Sequence, residues 1–298
     1  MASVSTEFVS RKVVAAEKGA RMRFFRRVPG YIIAYIILVL GVIVSLFPYF
    51  LALVTSLKQP DQIFSSSPVW SLPQPLTFQN YIDVVVKYNF LAYVWHTLVF
   101  AIILTLGQLI FSTLAAYAFA RMEFPGRDQI FWLYLATLMV PTIVTLIPLF
   151  IILRTFNLVN TWPGLVLPFV LGTPFGIFLM RQFFLTIPRD LENAARIDGA
   201  GTLQILFQVI LPLSRPILAT LAIITFVGAW NNFLWPLIIT DTDNLRLLTA
   251  GIAAFQSNFN TQWNLMMAAT FIALGPLLIL FFLFQQHIVR SIHMSGFK

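Results

Sequence analysis

The chain has 298 residues, of which 59% are hydrophobic and 10% charged, and its mean hydropathy is +0.85. Soluble domains carry about 25% charged residues, so most of this chain is expected to lie outside water. The absence of cysteine excludes disulfides, thiolate catalysis, zinc–thiolate sites and iron–sulfur clusters.

The formal charge of +8 has a local source rather than a nucleic-acid partner. Seven basic residues, Arg11, Lys12, Lys18, Arg21, Arg23, Arg26 and Arg27, precede the first apolar run. Residues 1–30 therefore read as a basic cytoplasmic segment beside anionic lipid. The run that follows is too long for the core of a signal peptide and lacks a small-residue cleavage site, so it reads as an uncleaved anchor.

Six apolar stretches follow in order: Tyr31–Leu53, Tyr93–Ala120, Ile130–Leu153, Trp162–Met180, Ile217–Thr240 and Leu265–Phe284. None contains Asp, Glu, Lys or Arg. Backbone polar groups in hydrocarbon must be paired within their own segment, so these runs predict helices. The ten-residue alternation of a membrane β-barrel is absent. The fold class expected is an all-α integral membrane protein with about six transmembrane helices. Its organisation is a basic segment 1–30, a six-helix domain 31–287 and a tail 288–298.

Fifteen of the nineteen basic residues fall on the side that holds both termini, and four (Lys58, Lys87, Arg154, Arg246) on the other. This bias predicts that both termini are cytoplasmic. On the outer side, the Ser- and Pro-rich stretch from Lys58 to Phe90 reads as an irregular loop and Asn157–Thr161 as a tight turn. Leu247–Phe255 reads as an interfacial or re-entrant helix. Pro48, Pro141, Pro148, Pro168, Pro174 and Pro276 lie inside spans, where kinks that serve packing are the plainer reading.

The chain offers no catalytic constellation and no metal site. His96, His287 and His293 lack metal-ligand spacing. No Gly-Lys-Ser/Thr sequence exists to cradle phosphates, so any ATP is bound by another chain. No carboxylate lies inside a span, which argues against a proton relay.

The most informative segment is Thr186 to Gly201, in the cytoplasmic loop 182–215 between spans four and five. It reads as a short helix that begins near Pro188, with Asp190 and Glu192 at its positive end and Gly199 and Gly201 as stops. Leu191, Ala194 and Ala195 give it a narrow face of mostly small side chains, flanked by Arg196 and Asp198. From the residues alone, a docking helix and an ordinary solvated helix are equally good readings. A second short helix is expected over Leu203–Ile210.

Glu192-Asn-Ala194-Ala195, then Asp198-Gly199, then Val209-x-Leu211-Pro212 resembles the EAA loop of ABC importer permeases, with Asn193 and Val209 as slight departures. Ser56-Leu-Lys58, Thr77-Phe-Gln-Asn80-Tyr81, Ala115 through Arg121 with Phe124-Pro-Gly126, and Trp230-Asn-Asn-Phe-Leu-Trp-Pro236 resemble the maltose-type, carbohydrate-uptake members. Residues 1–27 carry no family motif.

The resemblance implies a permease subunit of an ATP-driven importer for a sugar or sugar derivative, in a bacterial or archaeal-type cytoplasmic membrane. It implies a second related permease, two cytoplasmic ATP-binding subunits that use ATP and Mg, and an extracytoplasmic substrate-binding protein. This chain itself would bind no cofactor and be no enzyme. Glu192, Ala194, Ala195, Arg196, Asp198 and Gly199 would carry the ATPase coupling, with Glu192 expected to pair with a basic group on the ATPase. Trp230, Asn231 and Asn232 offer a ring face and amides to sugar hydroxyls, but equally suit helix packing. The alternative function is a secondary carrier or channel that works without an ATPase.

Overall fold

The computed structural model describes residues 31, 33–64, 68–256 and 262–295, and of residues 286–295 only the backbone. The basic N-terminal segment, on which much of the expected orientation rests, lies outside the described residues. Among the described residues the chain is built of helices and connecting turns. It divides into two compact units, residues 1–76 and 77–298.

The first unit holds α1 (Ile33–Ser56), a 24-residue apolar helix long enough to cross a bilayer. A short turn of helix at Pro60–Ile63 follows. There the Lys58 ammonium donates to the Val69 carbonyl at 2.9 Å.

The second unit is organised around α2 (Phe90–Arg121). After it come α3 (Arg127–Ala136), α4 (Thr142–Thr155), α5 (Trp162–Val170), α6 (Pro174–Thr186), α7 (Arg189–Ile197), α8 (Thr202–Leu213), α9 (Arg215–Trp230), α10 (Leu234–Ile239), α11 (Leu248–Ala253) and α12 (Trp263–Ser295). By length and composition four helical stretches can span a membrane, and six if each of two bent pairs is one span.

The spans are less straight than the apolar runs suggest. The third bends by 101° between Met139 and Thr142, where Pro141 adopts an extended conformation and cannot donate a helical hydrogen bond. The fourth breaks between α5 and α6 at Gly172, whose φ of +99° favours glycine. Thr173 restarts it by accepting the Gly176 N–H at 3.1 Å, with Pro174 in the first turn. The fifth bends by 81° between α8 and α9 and stops at Trp230, short of the expected Thr240.

Contacts along α2 fix its relation to α5 and α6. Gly107 meets Val170, Ser112 meets Gly172 and Gly176, and Arg121 meets Phe184. Sequence numbers rise together along both elements, so these helices run parallel. The approach is close: a Cβ on Gly107 would sit 2.2 Å from Val170 Cγ2 and 2.7 Å from its carbonyl oxygen. Small residues at such crossings let backbones pack where lipid provides no hydrophobic drive.

Two apolar cores result, one toward each end of α2. Phe90, Phe100, Leu104, Trp230 and Trp235 belong to one. Ala116, Tyr117, Met180, Phe184 and Ile205 belong to the other. Between them lies a buried polar belt of Thr105, Gln108, Ser112, Thr113 and Thr225.

Candidate functional site

Helix α7 occupies the segment singled out in the sequence. Its start follows Pro188, and Asp190 and Glu192 lie in its first turn, where negative charge suits the helix dipole. Its end is set by Gly199 at φ +84°. Gly199 N–H donates to the Arg196 carbonyl at 3.0 Å and Ala200 N–H to the Ala195 carbonyl at 2.9 Å. This pair of bonds is the Schellman stop, and it needs a left-handed residue. Gly201 does not stop this helix. It stands at the start of α8, where its N–H donates to the Gln204 side-chain oxygen at 2.8 Å.

The two faces of α7 differ. Glu192 is 4% exposed and points inward, and Ala195 is half-buried. Leu191, Ala194, Arg196, Ile197 and Asp198 are exposed. Leu203 and Phe207 of α8 are exposed as well. A small-residue apolar surface thus faces away from the bundle beside two charged residues.

Glu192 does not reach outward as the sequence reading expected. Its Oε1 lies 2.8 Å from Arg121 Nε, an ion pair whose side chains are 5% and 3% exposed. Arg121, counted in the sequence among the cytoplasmic basic residues and within the Ala115–Arg121 motif but given no partner there, is the only charge in the last turn of α2. Arg121 Nη2 also donates to the carbonyls of Phe184 and Ile187, each at 2.6 Å. One guanidinium therefore joins the end of α2, the end of α6 and the start of α7.

A second arginine crosses the other way. Arg181 of α6 donates from Nε to the Phe119 carbonyl of α2 at 3.2 Å and lies over the Phe131 ring at 4.2 Å. Parallel helices bring two negative dipole ends side by side, and each end is met by an arginine from its neighbour. A polar cleft of about 400 Å³ opens beside this clamp, lined by Tyr117, Arg121, Arg189, Glu192 and Arg196 among others.

The second predicted cluster is divided by the structure. Trp230 is 2% exposed and stacks on Phe226 with ring centroids 5.8 Å apart and planes 16° from parallel. It is a core residue, and its ring face is already covered. Asn231 returns its side-chain amide to the Val227 carbonyl at 2.9 Å, closing the end of α9. Asn232 lines a cavity of about 240 Å³ with Gln108, Thr173 and Thr225.

Gln108 holds this cavity together: its amide donates to the Phe169 carbonyl at 2.9 Å and its oxygen accepts from the Thr225 hydroxyl at 3.3 Å. Polar residues buried in a membrane-spanning bundle are functional candidates by default. Gln108 sits among apolar neighbours in the second span, and the sequence reading missed it. Replacing Trp230 with alanine would remove a buried aromatic, a change that costs about 3–5 kcal/mol, and would test folding instead of transport. The informative variant is Gln108→Leu with Asn232→Ala. It is expected to lower uptake at least about tenfold, the equivalent of one lost charge-free polar contact near 1.4 kcal/mol, while complex yield stays constant. Unchanged uptake kinetics would remove this cavity from the path.

The family model described as "Binding-protein-dependent transport system inner membrane component" matches residues 108–294. The chain is 35% identical over 279 residues to the sn-glycerol-3-phosphate transport system permease protein UgpE of Yersinia pestis, across 88% of this chain and 95% of that protein. It is 34% identical to the diacetylchitobiose uptake system permease protein NgcG of Streptomyces coelicolor, across 89% of this chain and 88% of that one. Among solved structures, a chain of a bacterial ABC transporter involved in import of the acidic polysaccharide alginate superposes with a TM-score of 0.76. It has 23% sequence identity and the match covers 86% of this chain and 95% of that chain.

Proposed function

The chain belongs to the family of binding-protein-dependent transport system inner membrane components, and on that premise we propose that it forms half of a sugar-translocating path driven by separate ATPase subunits. It is a transmembrane permease subunit of an ABC importer, a transport protein and not an enzyme. The substrate in this reading is a sugar or sugar derivative, as diacetylchitobiose is by name for one relative, while another is named for sn-glycerol-3-phosphate. A second related permease completes the path, two cytoplasmic ATPases bind and hydrolyse ATP with Mg, and an extracytoplasmic protein delivers substrate. In this reading both termini lie in the cytoplasm, which the basic bias of the sequence supports.

The observation that carries the coupling role is the Arg121–Glu192 clamp. It fixes the inner face of α7 to two spanning helices and leaves Leu191, Ala194 and Ile197 exposed on the outer face. A helix seated on a partner can move the spans only if its own bundle grips it. Glu192 and Ala195 belong to the grip. Ala194, Arg196, Asp198 and Gly199 are available to the partner.

Ala194→Arg tests the assignment, because it adds bulk and charge to the exposed face without touching the clamp. The expected result is normal membrane insertion with at least about a tenfold loss of ATPase co-purification, since a burying interface tolerates an unpaired charge poorly. Undiminished co-purification would place docking elsewhere. A cysteine introduced at Ser5 in the same cysteine-free chain should label with an impermeant reagent only after permeabilisation.

A further inference from the structure

At the opposite end of α2 from the clamp, a cavity of about 670 Å³ opens between α2, the segment before it and α11. Its size is ordinary for a small-molecule site, and it is separate from the Gln108 cavity. We propose that this cavity is a vestibule that receives an acidic carbohydrate, one carrying a phosphate, sulfonate or carboxylate, before it passes to the membrane interior. The proposal rests on the permease reading above and names the substrate class that reading leaves open.

The walls match such a ligand. Tyr88, Tyr93 and Phe255 supply aromatic surface, with Tyr88 and Phe255 edge to face at 4.9 Å. The phenol of Tyr88 is held by the Gln262 side chain at 3.3 Å. Rigid aromatic rings with polar tips suit the apolar faces and hydroxyl edges of a sugar ring. His96 lies 3.3 Å through Nδ1 from the Arg246 carbonyl. A carbonyl only accepts, so Nδ1 is the donor in this contact and the ring edge bearing Nε2 is left for a ligand hydroxyl.

The charge balance selects the acidic class. Arg246 is paired with Asp243. Lys87 has only the Tyr88 ring beneath it, 5.6 Å from the ring centroid, and no carboxylate within ion-pair distance among the described residues. The cavity therefore presents one uncompensated ammonium at its rim, which favours an anion in encounter and in orientation.

The shape is built deliberately by close packing. A Cβ on Gly251 would lie 2.5 Å from Cδ2 of Tyr93, so only glycine allows α11 to seat against that ring. Thr97 secures the same contact by accepting the Leu248 N–H at 2.8 Å and donating to the Tyr93 carbonyl at 2.8 Å.

The test uses the assembled transporter in lipid nanodiscs without its binding protein, with ligand-observed NMR of glucose 6-phosphate, glucuronate and glucose. At least one acidic sugar is expected to bind saturably at roughly millimolar concentration, with glucose about tenfold weaker. Lys87→Gln, an exposed and structurally mild change, should weaken the acidic sugar about tenfold and leave glucose unchanged. Gly251→Val should abolish both signals. The proposal falls if neither acidic sugar binds, if glucose binds as well as they do, or if Lys87→Gln changes nothing. A complex that retains its ATPase yet binds no acidic sugar defeats the vestibule alone, whereas a chain that captures no ATPase defeats the permease reading itself.

Discussion

Arg121→Ala is expected to uncouple transport from ATP hydrolysis more severely than any change on the exposed face of α7. Its guanidinium holds three partners: Glu192 at 2.8 Å and the Phe184 and Ile187 carbonyls at 2.6 Å. Removing it strands a carboxylate that is 5% exposed and two carbonyls at the end of α6. Breaking a buried ion pair from one side costs about 3–5 kcal/mol, enough to release α7 from the bundle. Glu192→Gln keeps an acceptor opposite Arg121 and should lose less. Glu192→Lys sets two cations together and should match Arg121→Ala. The exchange Arg121→Glu with Glu192→Arg should recover only part of the loss, because a glutamate cannot donate to the two carbonyls. Arg121→Lys should also fall short, since an ammonium lacks the fork that reaches carboxylate and carbonyls together. The measurement is substrate-stimulated ATP hydrolysis by complexes matched for permease content. Full coupling in Arg121→Ala would show that the clamp is dispensable.

The order of helices was legible from the sequence because lipid leaves a chain so few choices. Runs without charge longer than about 18 residues had to be helices, and the described helices fall within or around each run. Where the helices bend was only partly legible. Pro141 marks a true bend, but Pro148, Pro168 and Pro276 sit inside helices that continue through them. Whether a proline breaks a helix depends on whether neighbours satisfy the freed carbonyl, which is a tertiary fact.

The same limit governed the sites. The local signals around α7 suffice to place its start after Pro188 and its stop at Gly199, because capping and left-handed glycine act within a few residues, but they do not show that Gly201 opens α8. The direction of Glu192 is not local: its partner Arg121 lies 71 positions earlier, in a motif that gives no sign of which acid it meets. Trp230 and Asn232 are two positions apart in one sequence motif. The end of α9 turns between them, so one enters the core and the other a cavity. The vestibule joins Lys87 and Tyr93 to Arg246 and Gly251 across more than 150 residues, and no spacing rule could have assembled it.

Gly199 separates the contribution of the fold from that of the partner, and a short substitution series exploits this. Its φ of +84° is a left-handed conformation, while a Cβ built there meets nothing within 4 Å. Within the chain, then, a side chain at this position is disfavoured by backbone conformation alone and not by collision. Asparagine and aspartate tolerate the left-handed region, whereas a β-branched residue there is a true outlier. Gly199→Asn should leave α7 folded at a cost near 1 kcal/mol, and Gly199→Val should disrupt the turn itself. Gly199→Asp resembles Asn in shape but adds a negative charge beside Asp198, opposite whatever partner seats there. If α7 docks on an ATPase at close backbone approach, Asn should already weaken co-purification. Asp should then lose association or coupling while membrane insertion persists. If instead α7 is a solvated helix, Asn and Asp should both couple like the parent and only Val should fail. Pull-down of the ATPase from membranes with matched permease levels distinguishes the two patterns, and normal coupling in Gly199→Asp would remove the coupling role from this segment.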